Sequence, residues 1–356
     1  MGIYGRGALR RAKALAGAAT NAVRSRAGRG ERRSIAAKNA EISALKRELA
    51  RSRGEGTVTA ETPVFFVVGQ QKSGTTWLMR MLDAHQEILC RGEGRFFGAG
   101  WRQKSLVKSD AMRPASSLLY ALREAEYLRL WVERSVWSRN EDADEHLDNL
   151  ARMAVDYFLR GELAKTGKRL VGDKSPLLTP GMVEEISVVY PEARIVHIIR
   201  DGRDAAVSAA HHARNFGRAR DAKRQDDGLF AEAQLRKLAA DWNARVGRTV
   251  EDGPRLFGDR YVEVRYEDLL VRPEPEMARL LRFLGADERG AGRCVTAASF
   301  ERLSKGRIRG EEDSSSFFRK GVAGDWRDAF TERDRRVFVE EAGQLLVRLG
   351  YENDGW

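Results

Sequence analysis

Residues 64–82 read VFFVVGQQKSGTTWLMRML. Five β-forming apolar residues, Val64 to Val68, are followed by a turn rich in glycine and hydroxyls, and then by an apolar run at helical spacing. The spacing predicts a strand, a phosphate loop and a helix. Gly69 and Gly74 keep the separation of the nucleotide loop Gly-x-x-x-x-Gly-Lys-[Ser/Thr], where backbone N–H groups and the positive end of a helix dipole hold phosphate oxygens. Thr75 stands where that loop has its lysine, and Lys72 lies inside the turn instead. A lysine after the second glycine reaches the β- and γ-phosphates of a triphosphate, whereas one inside the loop sits beside the first phosphate and whatever is bonded to it. The expected ligand is a nucleotide with a single 5′-phosphate that carries a transferable group.

Two further segments extend the pattern. RIVHIIRDGRDAAVS at 194–208 reads as a buried strand ending in Arg200, with Ser208 eight residues later on a helix, and FFRKGVAGDW at 317–326 sets Arg319 and Lys320 before Gly321. These three segments, in this order, resemble the donor-binding motifs of the sulfotransferases, and the resemblance covers residues 60 to 356. It implies an α/β, three-layer P-loop-like fold with a central, mainly parallel sheet flanked by helices. It also implies the donor 3′-phosphoadenosine 5′-phosphosulfate (PAPS).

Two phosphates at opposite ends of one adenosine need two anion sites. Lys72, Ser73, Gly74, Thr75 and Thr76 are expected to form the 5′ site from backbone N–H groups, hydroxyls and one ammonium. Arg200, Ser208, Arg319 and Lys320 are expected to form the 3′ site, where guanidinium forks and charge-assisted bonds suit a dianion, and Gly321 is expected beside them among the donor-binding residues. By the resemblance, Trp77 and Phe300 sandwich the adenine and Tyr266 meets its edge. Ala298 stands before Ser299 and Phe300 where the family has a threonine, which removes one hydroxyl from the adenosine pocket. Taken singly, Trp77 reads as a core residue and Arg200 as a solvated strand end.

The transferred group needs in-line geometry, charge stabilisation at the leaving oxygen, and a base for the acceptor proton. The Lys-Thr-His segment of the cytosolic sulfotransferases is absent: the corresponding stretch is KRLVGDKSPLL, with Asp173 and Lys174. None of His85, His146, His197, His211 and His212 falls there. LDAHQEILCRGEGRFF at 82–97 instead resembles the branch in which a glutamate follows the first helix and a short strand, as in tyrosylprotein, heparan and many bacterial sulfotransferases. The expected roles are Glu93 as general base, Lys72 as the cation on the bridging oxygen, and Lys174 as a second orienting cation. Asp173 is the rival base, and His85 reads as a helix C-terminal cap. No metal is expected.

The net charge of +11 is uneven along the chain. Residues 1–56 carry 14 Lys and Arg against 4 Asp and Glu, and the remainder carries 49 against 48. The basicity therefore belongs to an N-terminal tail, and the predicted organisation is a tail at 1–56 and a sulfotransferase domain at 57–356. ALAGAATNAV at 14–23 is too short and weakly apolar for a membrane span or signal peptide. Ile42, Leu45 and Leu49 approach a heptad seam for two heptads, below what a coiled coil requires. The tail reads as a solvated arm, with weak membrane-surface contact or self-association as its alternatives; no nucleic-acid partner is expected. Two cysteines, Cys90 and Cys294, imply no disulfide framework, and the default compartment is the cytoplasm.

Strands are predicted at 64–68, 168–172, 194–199 and 260–265, with helices near 75–84, 180–189, 203–214, 230–250 and 331–349. Right-handed crossovers then give a parallel sheet with Lys72, Lys174, Arg200 and Tyr266 at its C-terminal edge. Residues 100–165, with Trp101, Tyr120, Tyr127, Trp131, Trp137 and Phe158, read as inserted helices that wall the acceptor pocket. The acceptor is a hydroxyl or amine, with a carbohydrate as first expectation. A P-loop kinase is disfavoured because Thr75 replaces the P-loop lysine and no strand ends in a clear metal-binding aspartate. A nucleic-acid or membrane-surface binder acting through the tail is the other alternative.

Overall fold

A computed structural model describes residues 63–98, 117–177, 179–215, 229–313 and 315–353, all within one compact unit spanning Thr62–Trp356. The basic tail at 1–56 and Trp101 lie outside the described residues. Among the described residues five strands form the sheet: β1 (Val64–Gly69), β2 (Ile88–Gly92), β3 (Leu170–Pro176), β4 (Arg194–Ile199) and β5 (Tyr261–Arg265). Their order is β2, β3, β1, β4, β5, and every pairing is parallel. All six residues of β1 are buried, as a central parallel strand covered on both faces requires.

Side chains alternate across the sheet and so divide the core. Phe66 and Val68 join Val155, Leu159 and Ile186 from the helices Ala143–Ala164 and Met182–Val189. Phe65 and Val67 join Leu78, Met81, Leu280 and Leu281 from the helices Thr75–Asp83 and Pro273–Leu284. A third cluster, around Trp242, Phe338 and Leu346, packs the helices Gly202–Asn215, Glu232–Phe257 and Glu332–Arg348 together. The fold is the expected α/β layering of a parallel sheet between helices. Strand order reverses at β1, which lies between β3 and β4, and in such sheets the crevice beyond the strands' C-terminal ends at the reversal takes the ligand.

The strand Ile88–Gly92 and the helix Pro273–Leu284 lie outside the predicted ranges, and other elements differ from them in extent or burial. β3 runs on to Pro176, because Asp173 and Lys174 continue the pairing with Phe66 and Val67 of β1 while Lys174 also pairs with Gly92 of β2. The helix predicted near 230–250 continues through Pro254 to Phe257 and stops at Gly258, whose φ is 57°. Of the inserted aromatics, Tyr127, Trp131, Trp137 and Phe158 are exposed, on or beside the helices Glu126–Arg134 and Ala143–Ala164, and these four border neither cavity described below. Helical spacing was the signal there, and it does not specify which face of a helix meets the core.

Candidate active site

The turn from β1 into the helix Thr75–Asp83 passes through Gly74 at φ 92°, and a Cβ there would come within 2.6 Å of the Tyr266 ring. Glycine is therefore required on two counts, left-handed backbone and close approach. No side chain caps this helix N-terminus, so its first amides remain available to an anion. The preceding residue but one, Lys72, also holds a left-handed backbone, with φ 73°.

These residues border a cavity of about 360 Å³ at the C-terminal end of the sheet. Lys72, Gly74, Thr75, Thr76 and Trp77 reach it from the loop and the helix behind it. Arg200 and Ser208 reach it from the end of β4 and the following helix, and Arg319, Lys320 and Gly321 from the late basic loop. Tyr266 and Phe300 complete the group. Ser73 does not border the cavity: it is wholly buried, and its N–H donates to the Gln70 carbonyl over 3.1 Å.

The rings are held from behind. Trp77 Nε1 donates to the carbonyl of Ala298 at 2.8 Å, so the backbone of the residue that lacks the expected threonine hydroxyl anchors the indole. Trp77 and Tyr266 meet edge to face with centroids 5.6 Å apart. Gly321, at φ 68°, lets the basic loop pass within 2.5 Å of the Phe300 ring, measured from where its Cβ would lie.

Arg200 is more heavily committed to protein than a phosphate-only role implies. Its guanidinium donates to the carbonyls of Lys72 at 3.1 Å and Val322 at 3.0 Å, stacks 4.3 Å from the Tyr266 centroid, and lies 3.7 Å from Asp204. Asp204 in turn accepts from the N–H groups of Gly324 and Trp326. The first loop, β4 and the basic loop are thereby tied through one guanidinium and one carboxylate. Arg319 pairs with Glu312 and Asp325, and Lys320 with Asp325. Burial, with Arg200 and Arg319 adding to it, pulls the Lys72 ammonium down to about 8.

At the cavity edge, Lys174 Nζ donates to Glu93 Oε1 at 2.6 Å; the lysine is buried and the glutamate half exposed. Glu93 has φ 60° and Arg95 φ 52°. Among the described residues four non-glycines have positive φ, and three of them, Lys72, Glu93 and Arg95, border this cavity. Left-handed backbone at such residues costs on the order of 1–3 kcal/mol and persists only where surroundings enforce it. Here the enforcement is visible: buried Asp173 accepts the Gly94 N–H at 3.0 Å and the Ser175 hydroxyl. Burial pushes the Asp173 carboxyl up, against those two hydrogen bonds.

His85 takes a structural place. Its Nδ1 accepts the Glu87 N–H, which puts the proton on Nε2, where it donates to the Asp287 carbonyl at 2.9 Å. Sequence reasoning missed several residues that border the cavity, notably Arg95, His212, Arg309, Phe317 and Phe318. His212 follows Ser208 by one helical turn, a spacing that carried the signal. Phe317 and Phe318 directly precede Arg319, and Arg309 lies ten residues before it, where no local pattern marks it. Among the described residues no group of His, Cys, Asp and Glu side chains is clustered as a metal site.

Residues 63–289 match the model of the Sulfotransferase family. The chain belongs to that family. The match spans the sulfotransferase phosphate loop, β4 and Glu93, and it ends before Phe300, Arg319 and Lys320. Protein-tyrosine sulfotransferase 2 of Gallus gallus is 26% identical over 227 residues, 63% of this chain and 52% of that protein. Nodulation protein NoeE of Sinorhizobium fredii is 26% identical over 301 residues, 81% of this chain and 66% of that protein. A crystal structure of retinol dehydratase in a complex with retinol and PAP is similar with a TM-score of 0.47 and 21% identity, over 81% of this chain and 82% of that one. The chain spans about half the length of the tyrosine sulfotransferases it matches, from 38% to 53% of the first four.

Proposed function

We propose that this sulfotransferase-family chain moves the sulfuryl group of PAPS onto a hydroxyl or amine acceptor. The observation that carries the reading is the meeting, on one cavity, of the Lys72 loop, Arg200 and the Arg319–Gly321 turn, with Trp77, Tyr266 and Phe300 beside them and Glu93 at the edge. The 5′-phosphate is assigned to the uncapped helix N-terminus and Lys72, the 3′-phosphate to Arg200, Ser208, Arg319 and Lys320, and the adenine to the rings. No metal is assigned, since these side chains supply the positive charge.

In the proposed transfer Glu93 takes the acceptor proton as the acceptor oxygen or nitrogen bonds to sulfur. The bond from sulfur to the 5′-phosphate oxygen breaks, its electron pair stays on that oxygen, and the Lys72 ammonium meets the charge. The leaving product is 3′-phosphoadenosine 5′-phosphate (PAP). Lys174 orients Glu93 through the 2.6 Å bond, and Asp173 fixes the strained turn by holding Gly94. Lys72 and Glu93 both occupy left-handed backbone, which supports placing the chemistry at these two residues.

A carbohydrate hydroxyl or amine is the first acceptor class proposed. A phenol hydroxyl is the second reading, favoured by relatives named for protein tyrosine. A transfer screen with radiolabelled PAPS across carbohydrates, phenols, tyrosyl peptides and aliphatic alcohols tests the activity, with label expected on at least one class. Calorimetry tests the donor: PAP should bind much more tightly than AMP, and equal affinities would remove the 3′-phosphate assignment.

A further inference from the structure

Glu93 belongs to two cavities. The second, about 350 Å³, shares Thr76, Glu93, Phe317 and Phe318 with the first and adds Met79, Arg80 and Lys174. A base at the partition between two hollows is accessible from both, so a donor in one leaves the other for the group that gives up a proton.

The walls of the second cavity have a definite chemistry. Phe317 and Phe318 meet edge to face, with centroids 5.1 Å apart, and each carries a cation. Lys72 stands over Phe317 at 4.8 Å, on the donor side, and the Arg80 guanidinium stands over Phe318 at 5.4 Å. Lys174 is already engaged by Glu93. Arg80 has its ring contact with Phe318 and no ion pair with a carboxylate among the described residues. The second cavity thus offers an apolar wall of Phe318 and Met79 and one guanidinium without a carboxylate partner among the described residues.

Resting on the donor reading above, we propose that the second cavity seats the acceptor, and that the acceptor carries an anionic group for Arg80. Its hydroxyl lies at Glu93, its body along Phe318 and Met79, and its carboxylate, phosphate or sulfate at the guanidinium. An anionic acceptor approaching an anionic donor meets like-charge repulsion, and Arg80 offsets it from the side away from the reacting atoms. Arg80 is exposed and meets the donor cavity only through the Phe318 ring, so its replacement leaves the core and the contacts of Lys72, Arg200 and Arg319 in place.

The test uses two matched acceptor pairs that differ in one charge: 4-hydroxyphenylacetate with 4-ethylphenol, and methyl glucuronide with methyl glucoside. With radiolabelled PAPS and the full chain, the anionic member of the reacting pair should show a kcat/KM about 10-fold or more above its neutral partner. Arg80→Gln should abolish that preference and Arg80→Glu reverse it, with PAP affinity by calorimetry unchanged in both variants. Equal efficiencies in the wild-type chain, or a preference that survives Arg80→Gln, would overturn the proposal. So would the absence of label on all four compounds in a preparation that binds PAP normally. Failure of the wild-type chain to bind PAP would strike the donor reading instead.

Discussion

The guanidinium of Arg200 donates to the carbonyl oxygen of Lys72 over 3.1 Å, joining residues 128 positions apart. Through its second arm the same group reaches Val322, so one side chain sets the separation between the phosphate loop and the basic loop. The residue proposed for the 3′-phosphate thus also braces the loop proposed for the 5′-phosphate.

Two substitutions separate those duties. Arg319→Ala should weaken PAP about 10-fold to 100-fold and leave AMP nearly unchanged, because only the 3′-phosphate loses a partner. Arg200→Ala should weaken both nucleotides, with a loss of about 2–4 kcal/mol for PAP. Arg200→Lys should not restore binding, since an ammonium cannot span two carbonyls as a planar fork does. Calorimetry with both nucleotides decides it; an Arg200→Ala chain that binds AMP normally would show that the loops keep their places without it.

Lys72 is expected to make donor binding depend on pH. Its ammonium is lowered to about 8, so the free protein loses this charge as pH rises through that value. PAP affinity should change little between about pH 7 and 8, above the second pKa of its phosphates near 6, and fall above pH 8. Binding an anion favours the charged form, so the complex should take up protons near pH 8 to 9, measurable by calorimetry in buffers of different ionisation enthalpy. Lys72→Arg should remove both effects, and a wild-type affinity constant up to pH 9.5 would refute the assignment.

The assignment of the base separates Glu93 from Asp173. Glu93→Gln should leave PAP affinity nearly unchanged and lower kcat about 10²–10⁴-fold. Asp173→Ala should destabilise the chain by about 1–3 kcal/mol, because the Gly94 N–H and the Ser175 hydroxyl lose a buried acceptor. Asp173→Asn, which keeps one acceptor oxygen, should recover most of the stability and part of the rate. Near-normal turnover in Glu93→Gln, with Asp173→Asn inactive, would transfer the role of base to Asp173.

His85 is expected to matter for stability alone. The buried ring bonds to Glu87 on one side and Asp287 on the other. His85→Ala should lower the unfolding free energy by about 1–3 kcal/mol while kcat at a permissive temperature stays within about twofold. Thermal melts and turnover on the same preparation check this, and an inactive but fully stable variant would contradict it.

Much of this protein was written in local sequence. The run VFFVVGQQKSGTTWLMRML determined a buried strand, a tight turn and a helix with an open N-terminus, because period, glycine placement and apolar content act within a few residues. The strands near 194 and 260 were legible for the same reason, and parallel order then brought Lys72, Arg200 and Tyr266 to one edge. What only the tertiary structure decided are relations across long separations. That Arg200 braces Lys72, that Asp173 is a buried acceptor for Gly94, and that Ser73 turns inward all depend on how distant segments pack. The exposure of Trp131 and Tyr157 was likewise undetermined by helical spacing, since a helix face is chosen by its neighbours. Arg80 reads as an ordinary surface arginine along the chain, and it becomes part of a cavity only when Phe318 arrives from 238 residues away.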